Sequence, residues 1–324
     1  VLDAPFELDQ GPGLPVWRPN NFEVGEYLGE TTLRRGLELS RNVMTVRLAS
    51  QVGMNKIVPY AIQFGVYDKL PPLLANSLGS YETTLLRMVT GYSEFVNGGK
   101  KVSASLVDRI QDRNGKTIWR HDARKCEGCN DAVWRGQQEP LLMDTREQII
   151  DPRTAYQIVS MLQGVVQRGT AAYSIGAQIP KPLAGKTGTS SDAKDIWFVG
   201  FSPDLVAGVF VGFDNPRTLG AHEQGSTVAA PIFRDFMKGA LADAPATPFR
   251  VAPGIELIPV DARSGTPVPA GTPGSIMEAF KAGTAFADEP ILGAADYGMP
   301  PQQQQPAPNQ PPPASVGEGT GGLY

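Results

Sequence analysis

Residues 183–213, LAGKTGTSSDAKDIWFVGFSPDLVAGVFVGF, contain three short strand-like runs separated by turns. The runs cover 183–189, 195–201 and 205–213, and only a few residues link one run to the next. Links this short join antiparallel neighbours, whereas a parallel crossover needs about a dozen residues or more. The stretch therefore predicts a three-stranded antiparallel sheet.

Gly185, Lys186 and Thr187 could also end a phosphate-binding loop. Such a loop requires another glycine five positions before Gly185 and a helix directly after the threonine. Position 180 is a proline, and a turn and a strand follow Thr189. These two departures exclude the nucleotide-binding interpretation.

Helical patterns surround the predicted sheet. Thr31 opens one pattern with Leu33 and Leu37 at i, i+4 spacing, and Ser80 is the expected cap of a second. The remaining predicted elements are a helix at 41–50, a hairpin at 102–119 with its turn at 112–115, a helix beginning at Asp151-Pro152 and ending at Gly169, and a helix at 226–241. Helices followed by antiparallel strands and a covering helix indicate an α+β architecture.

The regular pattern weakens after Ala242. We interpret 1–242 as the main domain and 243–299 as an extension rich in proline and glycine. Residues 300–324 are of low complexity and cannot bury enough apolar surface to offset their ordering entropy, which predicts disorder.

Composition excludes several classes of protein. The formal net charge of −4 provides no basic surface for nucleic acid. No apolar run approaches the roughly 20 residues that span a bilayer. The first residues, VLDAPFELDQ, contain neither an initiator methionine nor a signal-peptide pattern, so we expect further polypeptide upstream.

The two cysteines, Cys126 and Cys129, form a Cys-x-x-Cys pair. A structural zinc site needs about four ligands, and His121 could supply only a third. We expect a loop closed by a local disulfide or carrying two thiols, with no metal and no cofactor.

Two clusters of polar residues lie far apart in the sequence. Ser40 and Asn42 can share a cleft only if the chain turns between them; alternatively, one of them caps the helix that begins near Val43. In the predicted strand, Thr187 and Thr189 share one face and Lys186 lies on the other, while Gly188 allows another backbone to approach. Ser-x-Asn-like and Lys-Thr-Gly elements occur together in penicillin-binding proteins and serine β-lactamases.

On these elements the sequence resembles the C-terminal part of class A (bifunctional) penicillin-binding proteins, in their transpeptidase domain. The resemblance covers about residues 1–242. It rests on the segments TTLRRGLELSRNVMTVRLA (31–49), LGSYETTLLRMVTGYSEFVNGG (78–99), KTGTSSDAKDIWFVGFSPDLVAGVFVGFD (186–214) and GSTVAAPIFRDFM (225–237).

The resemblance implies the penicillin-binding/serine β-lactamase-like fold, an antiparallel sheet covered by helices plus a helical subdomain, here without its N-terminal part. It implies a peptidoglycan DD-transpeptidase that acts on D-Ala-D-Ala stem peptides, is inhibited by β-lactams and works at the periplasmic face of the bacterial inner membrane. The parent protein would also carry a glycosyltransferase domain that uses lipid-linked precursors.

The resemblance also implies roles for individual residues. Ser40 and Lys186 would be catalytic, Ser40 as a proton relay and Lys186 as the cation that polarises it and attracts the substrate carboxylate. The substrate-binding residues would be Asn42, Thr187, Gly188 and Thr189.

The family's nucleophile, the serine of a Ser-x-x-Lys element, has no counterpart before Ser40, because residues 1–39 contain no serine. Ser191 and Lys194 form the one match in the sequence, but they lie in a link between strands rather than on a helical turn that would bring the amine to the hydroxyl. We therefore expect a preceding segment to supply the nucleophile, and the isolated chain to be inactive.

Three alternatives remain at this point. A DD-carboxypeptidase or a serine β-lactamase-like hydrolase would use the same site with water as acceptor. A noncatalytic scaffold would instead use the proline-rich tail to bind partners. A histidine-based hydrolase is disfavoured, because His121 and His222 are the only histidines and neither lies near a serine motif.

Overall fold

The computed structural model describes residues 1–9, 13, 15–122, 124, 126, 129, 133, 135–136, 138, 142–285 and 291–293. The predicted disordered tail at 300–324 lies outside the described residues, as do parts of the extension before it. In the described part the α-helices are α1 (Leu33–Glu38), α2 (Asn42–Val52), α3 (Met54–Gln63), α4 (Leu85–Val96), α5 (Pro152–Gln167) and α6 (Ala230–Ala240).

The central sheet is the predicted one. Its strands are β5 (Ala184–Thr189), β6 (Asp195–Phe201) and β7 (Val206–Gly212), in the order β5-β6-β7 and antiparallel throughout. The other strands form three two-stranded sheets: β1 (Leu2–Asp3) with β2 (Gly29–Glu30), β3 (Arg109–Gln111) with β4 (Thr117–Arg120), and β8 (Ile255–Asp261) with β9 (Ser275–Lys281).

Helices cover both faces of the central sheet. On one face, a side chain at Gly208 would collide with Leu85 and Val89 of α4, so this glycine lets the helix approach. On the other face, the rings of Phe198 in β6 and Phe233 in α6 pack with centroids 4.7 Å apart, and both residues are fully buried. The α+β architecture and the antiparallel sheet predicted from the sequence are confirmed.

Most helix boundaries follow the predicted signals. Asp151 caps α5 through its side chain and Pro152 occupies the first turn, as expected. The prediction for Ser80 is wrong: Thr84 caps α4, and the Ser80 hydroxyl instead donates to the side chain of Asn76. The chain between them does not yet have helical hydrogen bonding, so the cap lies four residues later.

The two leucines whose spacing predicted helix α1 are not its most buried residues. Leu33 is exposed and Leu37 is only half-buried, whereas Arg34 and Glu38 are buried. Charged side chains can occupy a buried face when they pair with each other and with neighbouring polar groups. Partners from distant parts of the chain, which no local pattern reveals, therefore set the orientation of this helix.

The predicted extension contains a regular element that the sequence pattern did not reveal. Strands β8 and β9 form a seven-residue hairpin, in register from Ile255↔Lys281 to Asp261↔Ser275. Ala279 of this hairpin is buried, and its carbonyl accepts a hydrogen bond from Gln157 of α5 at 2.9 Å. The hairpin is thus docked against the helical layer.

Two smaller predictions concern 102–142. The hairpin forms with its turn at 112–115, although its strands are shorter than the pattern suggested. Cys126 and Cys129 form a disulfide, the first of the two alternatives.

Within the described residues, every helix is too short or too polar to cross a bilayer.

Candidate active site

Ser40 lies in a tight turn between two helices. Helix α1 ends at Glu38 and α2 begins at Asn42, and Ser40 has a φ of 55°. This is the left-handed region, which a residue with a side chain occupies only when its surroundings enforce it. Arg41 is the N-cap residue of α2, so neither Ser40 nor Asn42 caps the helix. The chain therefore turns between Ser40 and Asn42, which is the condition for these two residues to share a cleft.

An ion pair between Arg41 and Asp3 holds this turn in place. Its Nε donates to Asp3 Oδ2 at 2.8 Å, and Asp3 is fully buried. Asp3 also accepts from the side chain of Asn21 at 2.9 Å, and Asn21 in turn accepts from the amide of Val43 at 3.2 Å. A buried charge is tolerated when it is paired and hydrogen-bonded, and this network joins the N-terminal segment to the Ser40 turn.

Lys186 reaches the Ser40 turn from the edge of the sheet. Its Nζ donates to Ser40 Oγ at 2.7 Å and to the carbonyl of Thr187 at 3.0 Å. Strand alternation alone places Lys186 and Thr187 on opposite faces, and the long lysine side chain curls back to the edge of the strand. The structure therefore brings the two predicted catalytic residues into direct contact.

The surroundings of Lys186 change its acidity. Burial, which disfavours the charged form, lowers the pKa of this ammonium to about 8. The group is still mostly protonated at neutral pH. A cation that is weakly solvated and hydrogen-bonded to a hydroxyl can polarise that hydroxyl and attract an anionic ligand.

Thr187 has a partner that sequence reasoning missed. Its hydroxyl lies 2.9 Å from the hydroxyl of Thr170, which comes shortly after the end of α5. The amide of Thr170 donates to the carbonyl of Glu38 at 3.0 Å. Thr170 thus joins the Lys-Thr-Gly strand to the end of α1. No sequence motif identifies Thr170, because a single threonine after a helix is common in proteins.

Gly188 and Thr189 meet the segment before α6. Thr189 Oγ1 accepts from the amide of Gly225 at 3.0 Å and retains its own proton for donation. A side chain at Gly225 would collide with the backbone of Gly188, so the glycine at 225 permits this close approach. The other predicted binding residue, Asn42, donates its side-chain amide to the carbonyl of Asn20 at 3.2 Å.

Ser191 and Lys194, the formal Ser-x-x-Lys match, do not form a helical pair. Ser191 opens a short 3₁₀ turn in which Asp192 and Ala193 have positive φ angles of 59° and 49°. The Lys194 ammonium pairs with Asp192 at 3.2 Å. This geometry supports the interpretation of the match as coincidental.

The family model for the penicillin binding protein transpeptidase domain matches residues 5–238. The chain belongs to this family. The match includes the Ser40 turn, the Lys-Thr-Gly strand and all but the last two residues of helix α6, and so covers the elements on which the resemblance was based.

Similar proteins agree with this assignment. Penicillin-binding protein 1A of Rickettsia bellii is 47% identical over 286 residues, which are 86% of this chain and 35% of that protein. Penicillin-binding protein 1A of Neisseria gonorrhoeae is 39% identical over 246 residues, 74% of this chain and 28% of its own length. This transpeptidase-family chain therefore spans about a third of the length of these relatives.

Solved structures resemble the fold as well. The crystal structure of penicillin-binding protein 1A from Haemophilus influenzae matches with a TM-score of 0.74 and 29% identity, over 88% of this chain and 44% of that one. PonA1 from Mycobacterium tuberculosis in complex with penicillin V matches with a TM-score of 0.61 and 22% identity, over 83% of this chain and 69% of that one. The penicillin-binding α+β fold is thereby confirmed.

Proposed function

We propose that this chain forms one wall of a peptidoglycan DD-transpeptidase site. The observation that carries the proposal is the 2.7 Å contact between Lys186 Nζ and Ser40 Oγ. It supports a site in which a cation, a relay hydroxyl and the hydroxyls of the Lys-Thr-Gly strand would act together. A D-Ala-D-Ala stem peptide presents a carboxylate and a scissile carbonyl, which these groups would bind.

The reaction would proceed in two acyl transfers. A serine hydroxyl attacks the carbonyl of the penultimate D-Ala, an ester forms and the terminal D-Ala leaves with a proton on its nitrogen. An amine from a neighbouring stem peptide then attacks the ester, forms the cross-link and returns the serine. A β-lactam would be attacked in the same way and remain as the ester.

Ser40 and Lys186 would assist the release of the terminal D-Ala. The Ser40 hydroxyl relays a proton toward the leaving nitrogen, and the ammonium of Lys186 keeps that hydroxyl polarised. The same ammonium attracts the terminal carboxylate. Thr187 and Thr189 would donate hydrogen bonds to that carboxylate, each worth about 1.5–3 kcal/mol.

Three further roles complete the proposed site. The amide of Thr189 would supply half of the oxyanion hole, and loss of such a donor costs roughly 2.7–4 kcal/mol. Gly188 would lie beside the bound substrate as part of the Lys-Thr-Gly strand, and Asn42 would hold an amide of the substrate. No cofactor is required, because each step is an acyl or proton transfer.

The attacking serine would come from a segment outside these 324 residues. Residues 1–39 hold no serine, and the geometry around Ser191 is unsuitable for a Ser-x-x-Lys pair. That segment would carry the serine, its lysine base and the other half of the oxyanion hole. We place the assembled enzyme at the periplasmic face of the inner membrane, in a protein that also polymerises lipid-linked precursors.

The domain division belongs to the proposal as well. The family match ends at residue 238, which supports a boundary for the penicillin-binding domain near residue 242. The hairpin β8–β9 would then be an accessory element attached to that domain.

Penicillin labelling tests the proposal. The polypeptide that includes the upstream Ser-x-x-Lys segment should form a stoichiometric penicilloyl adduct, detected by intact mass. The 324-residue chain alone should form none, and adduct formation on it would place the nucleophile inside this sequence. If the longer polypeptide fails to react with penicillin, the noncatalytic alternative stands.

A second measurement separates the transpeptidase from the related hydrolases. The longer polypeptide is incubated with a donor stem peptide and an acceptor amine, and the products are separated. Cross-linked product supports the transpeptidase. Free acid as the only product would identify a DD-carboxypeptidase, and rapid release of hydrolysed penicillin would identify a β-lactamase-like hydrolase.

A further inference from the structure

Two helices carry the two sides of the proposed site. Ser40 follows the last residue of α1 by two positions, and Thr170 follows the last residue of α5 by three. Ser40 contacts Lys186, and Thr170 contacts Thr187. Any shift of α1 relative to α5 would therefore move the relay hydroxyl relative to the Lys-Thr-Gly strand.

Glycines in and after α5 let the two helices approach closely. A side chain at Gly164 would overlap the carboxylate of Glu38, and one at Gly169 would overlap the backbone carbonyl of Glu38. The same carbonyl accepts the amide of Thr170. The end of α1 is thus seated against α5 through Glu38.

Four charged side chains hold this contact. Glu38 accepts from Arg168 of the segment after α5 at 2.6 Å and lies 3.6 Å from Arg34, one turn earlier in α1. The guanidinium of Arg34 also donates to the carbonyl and the hydroxyl of Ser160 in α5, both at 2.8 Å. The side chains of Arg34 and Glu38 are 4% and 8% exposed, so solvent screens this network weakly.

The fourth charged side chain, Glu278, comes from the β8–β9 hairpin. Glu278 of β9 accepts from Arg34 Nε at 2.5 Å and from Nη2 at 2.6 Å, a bidentate pair. Such forked pairs fix geometry as well as charge. The network thereby balances two cations with two anions and joins α1, α5 and the hairpin at one point.

We infer that Glu278, acting through Arg34 and Glu38, is a positioning residue for the Ser40–Lys186 pair. The hairpin fixes α1 on α5, and α1 in turn fixes the Ser40 turn against the Lys-Thr-Gly strand. This inference rests on the proposed function, because it assigns Glu278 a share in the acylation rate. It also gives the region after residue 242 a part in catalysis.

The test replaces Glu278 with glutamine in the penicillin-reactive polypeptide. Glutamine keeps the size of the side chain and removes the charge of the pair. We expect the first-order acylation rate constant to fall about tenfold, since displacements of about 1 Å remote from the chemistry can cost up to a hundredfold. The penicillin dissociation constant should change little, and saturating penicillin should still label the protein completely.

Two other variants complete the design. Glu256→Gln, at an exposed position on the other strand of the same hairpin, should acylate like wild type. Glu278→Asp keeps the charge with shorter reach and should restore part of the rate. If Glu278→Gln fails to fold, the acylation rate constant of Glu278→Asp, compared with that of wild type, tests the inference instead.

The outcomes are distinct. A purely structural role for Glu278 would lower the fraction of protein that can be labelled while leaving the rate constant of the remainder unchanged, and that result would overturn the inference. So would an unchanged rate at full labelling. Failure of the unmodified polypeptide to react with penicillin would instead contradict the proposed function.

Discussion

Lys186 and Ser40 are 146 positions apart in the sequence, and the ammonium of the first donates to the hydroxyl of the second at 2.7 Å. This contact connects the edge of the central sheet to the turn between two helices. It also depends on an unusual backbone, because Ser40 has a φ of 55°.

Removal of the Lys186 ammonium should slow acylation. We expect Lys186→Ala to lower the rate by roughly 10²–10³-fold, the range found when one preorganised electrostatic donor is lost from an active site. The measurement is the second-order rate of penicilloyl adduct formation in the reactive polypeptide. Lys194→Ala is the matched control, because that lysine pairs with Asp192 in a turn beyond the strand. Near-normal acylation by Lys186→Ala would remove this residue from the site.

Acylation should also depend on pH through Lys186. Its pKa is lowered to about 8, so the amine is protonated below that pH and neutral above it. The proposed role requires the cation, so the rate should fall as the pH rises through about 8. In Lys186→Arg the cation persists, since the guanidinium pKa stays above about 12, and the fall near pH 8 should disappear. A rate that rises through pH 8 would show that the neutral amine is the active form.

The buried pair of Asp3 and Arg41 should matter for stability. Asp3→Ala would leave the buried Arg41 with the exposed carboxylate of Glu23, 3.9 Å away, as its remaining charged contact, and removing one partner of a buried pair costs about 3–5 kcal/mol. Urea denaturation of the folded polypeptide measures the loss. Glu7→Ala, which removes an exposed pair with Arg18, is the control and should cost at most about 1 kcal/mol. Equal effects for the two variants would contradict a supporting role for Asp3.

Two glycines in helices should respond in opposite directions to alanine. Gly164→Ala places a methyl group against the carboxylate of Glu38, and overpacking of this kind typically costs about 1–3 kcal/mol. Gly239→Ala in α6 meets open space and should stabilise the helix by about 0.5–1 kcal/mol. Thermal melting of both variants tests this difference. A neutral Gly164→Ala would mean that the side chains of Glu38 and Arg168 can move aside without cost.

The sequence predicted the sheet and the ends of most helices, because these depend on local signals. Strand-like runs joined by links of only a few residues predict β5, β6 and β7, and Asp151-Pro152 predicts the start of α5. Local spacing predicted helix α1 but did not identify the residues that the helix buries. Its buried side chains are those of Arg34 and Glu38, on either side of the buried Gly36. Their partners Ser160, Arg168 and Glu278 come from more than a hundred residues away.

The candidate site was predictable only in part for the same reason. Ser40 and Lys186 could be assigned to one site because the Ser-x-Asn and Lys-Thr-Gly elements occur in the order that the family shows. The sequence could not show that the lysine side chain curls around the strand edge to reach Ser40. Thr170 could not be found this way, since its contact with Thr187 depends on how α5 meets the sheet. The β8–β9 hairpin was missed because its strands lie among prolines and glycines that resemble a linker.

The docked hairpin has a practical consequence for inhibitor discovery. A truncated protein that stops at residue 238, where the family match ends, would retain the Ser40 turn and the Lys-Thr-Gly strand. It would lack Glu278, so the guanidinium of Arg34 would lose its bidentate partner. If Glu278 has the positioning role inferred above, compounds ranked against such a shortened target would be selected on a site whose Ser40 turn has lost part of its support. Assays that retain residues up to at least 285 would avoid this bias.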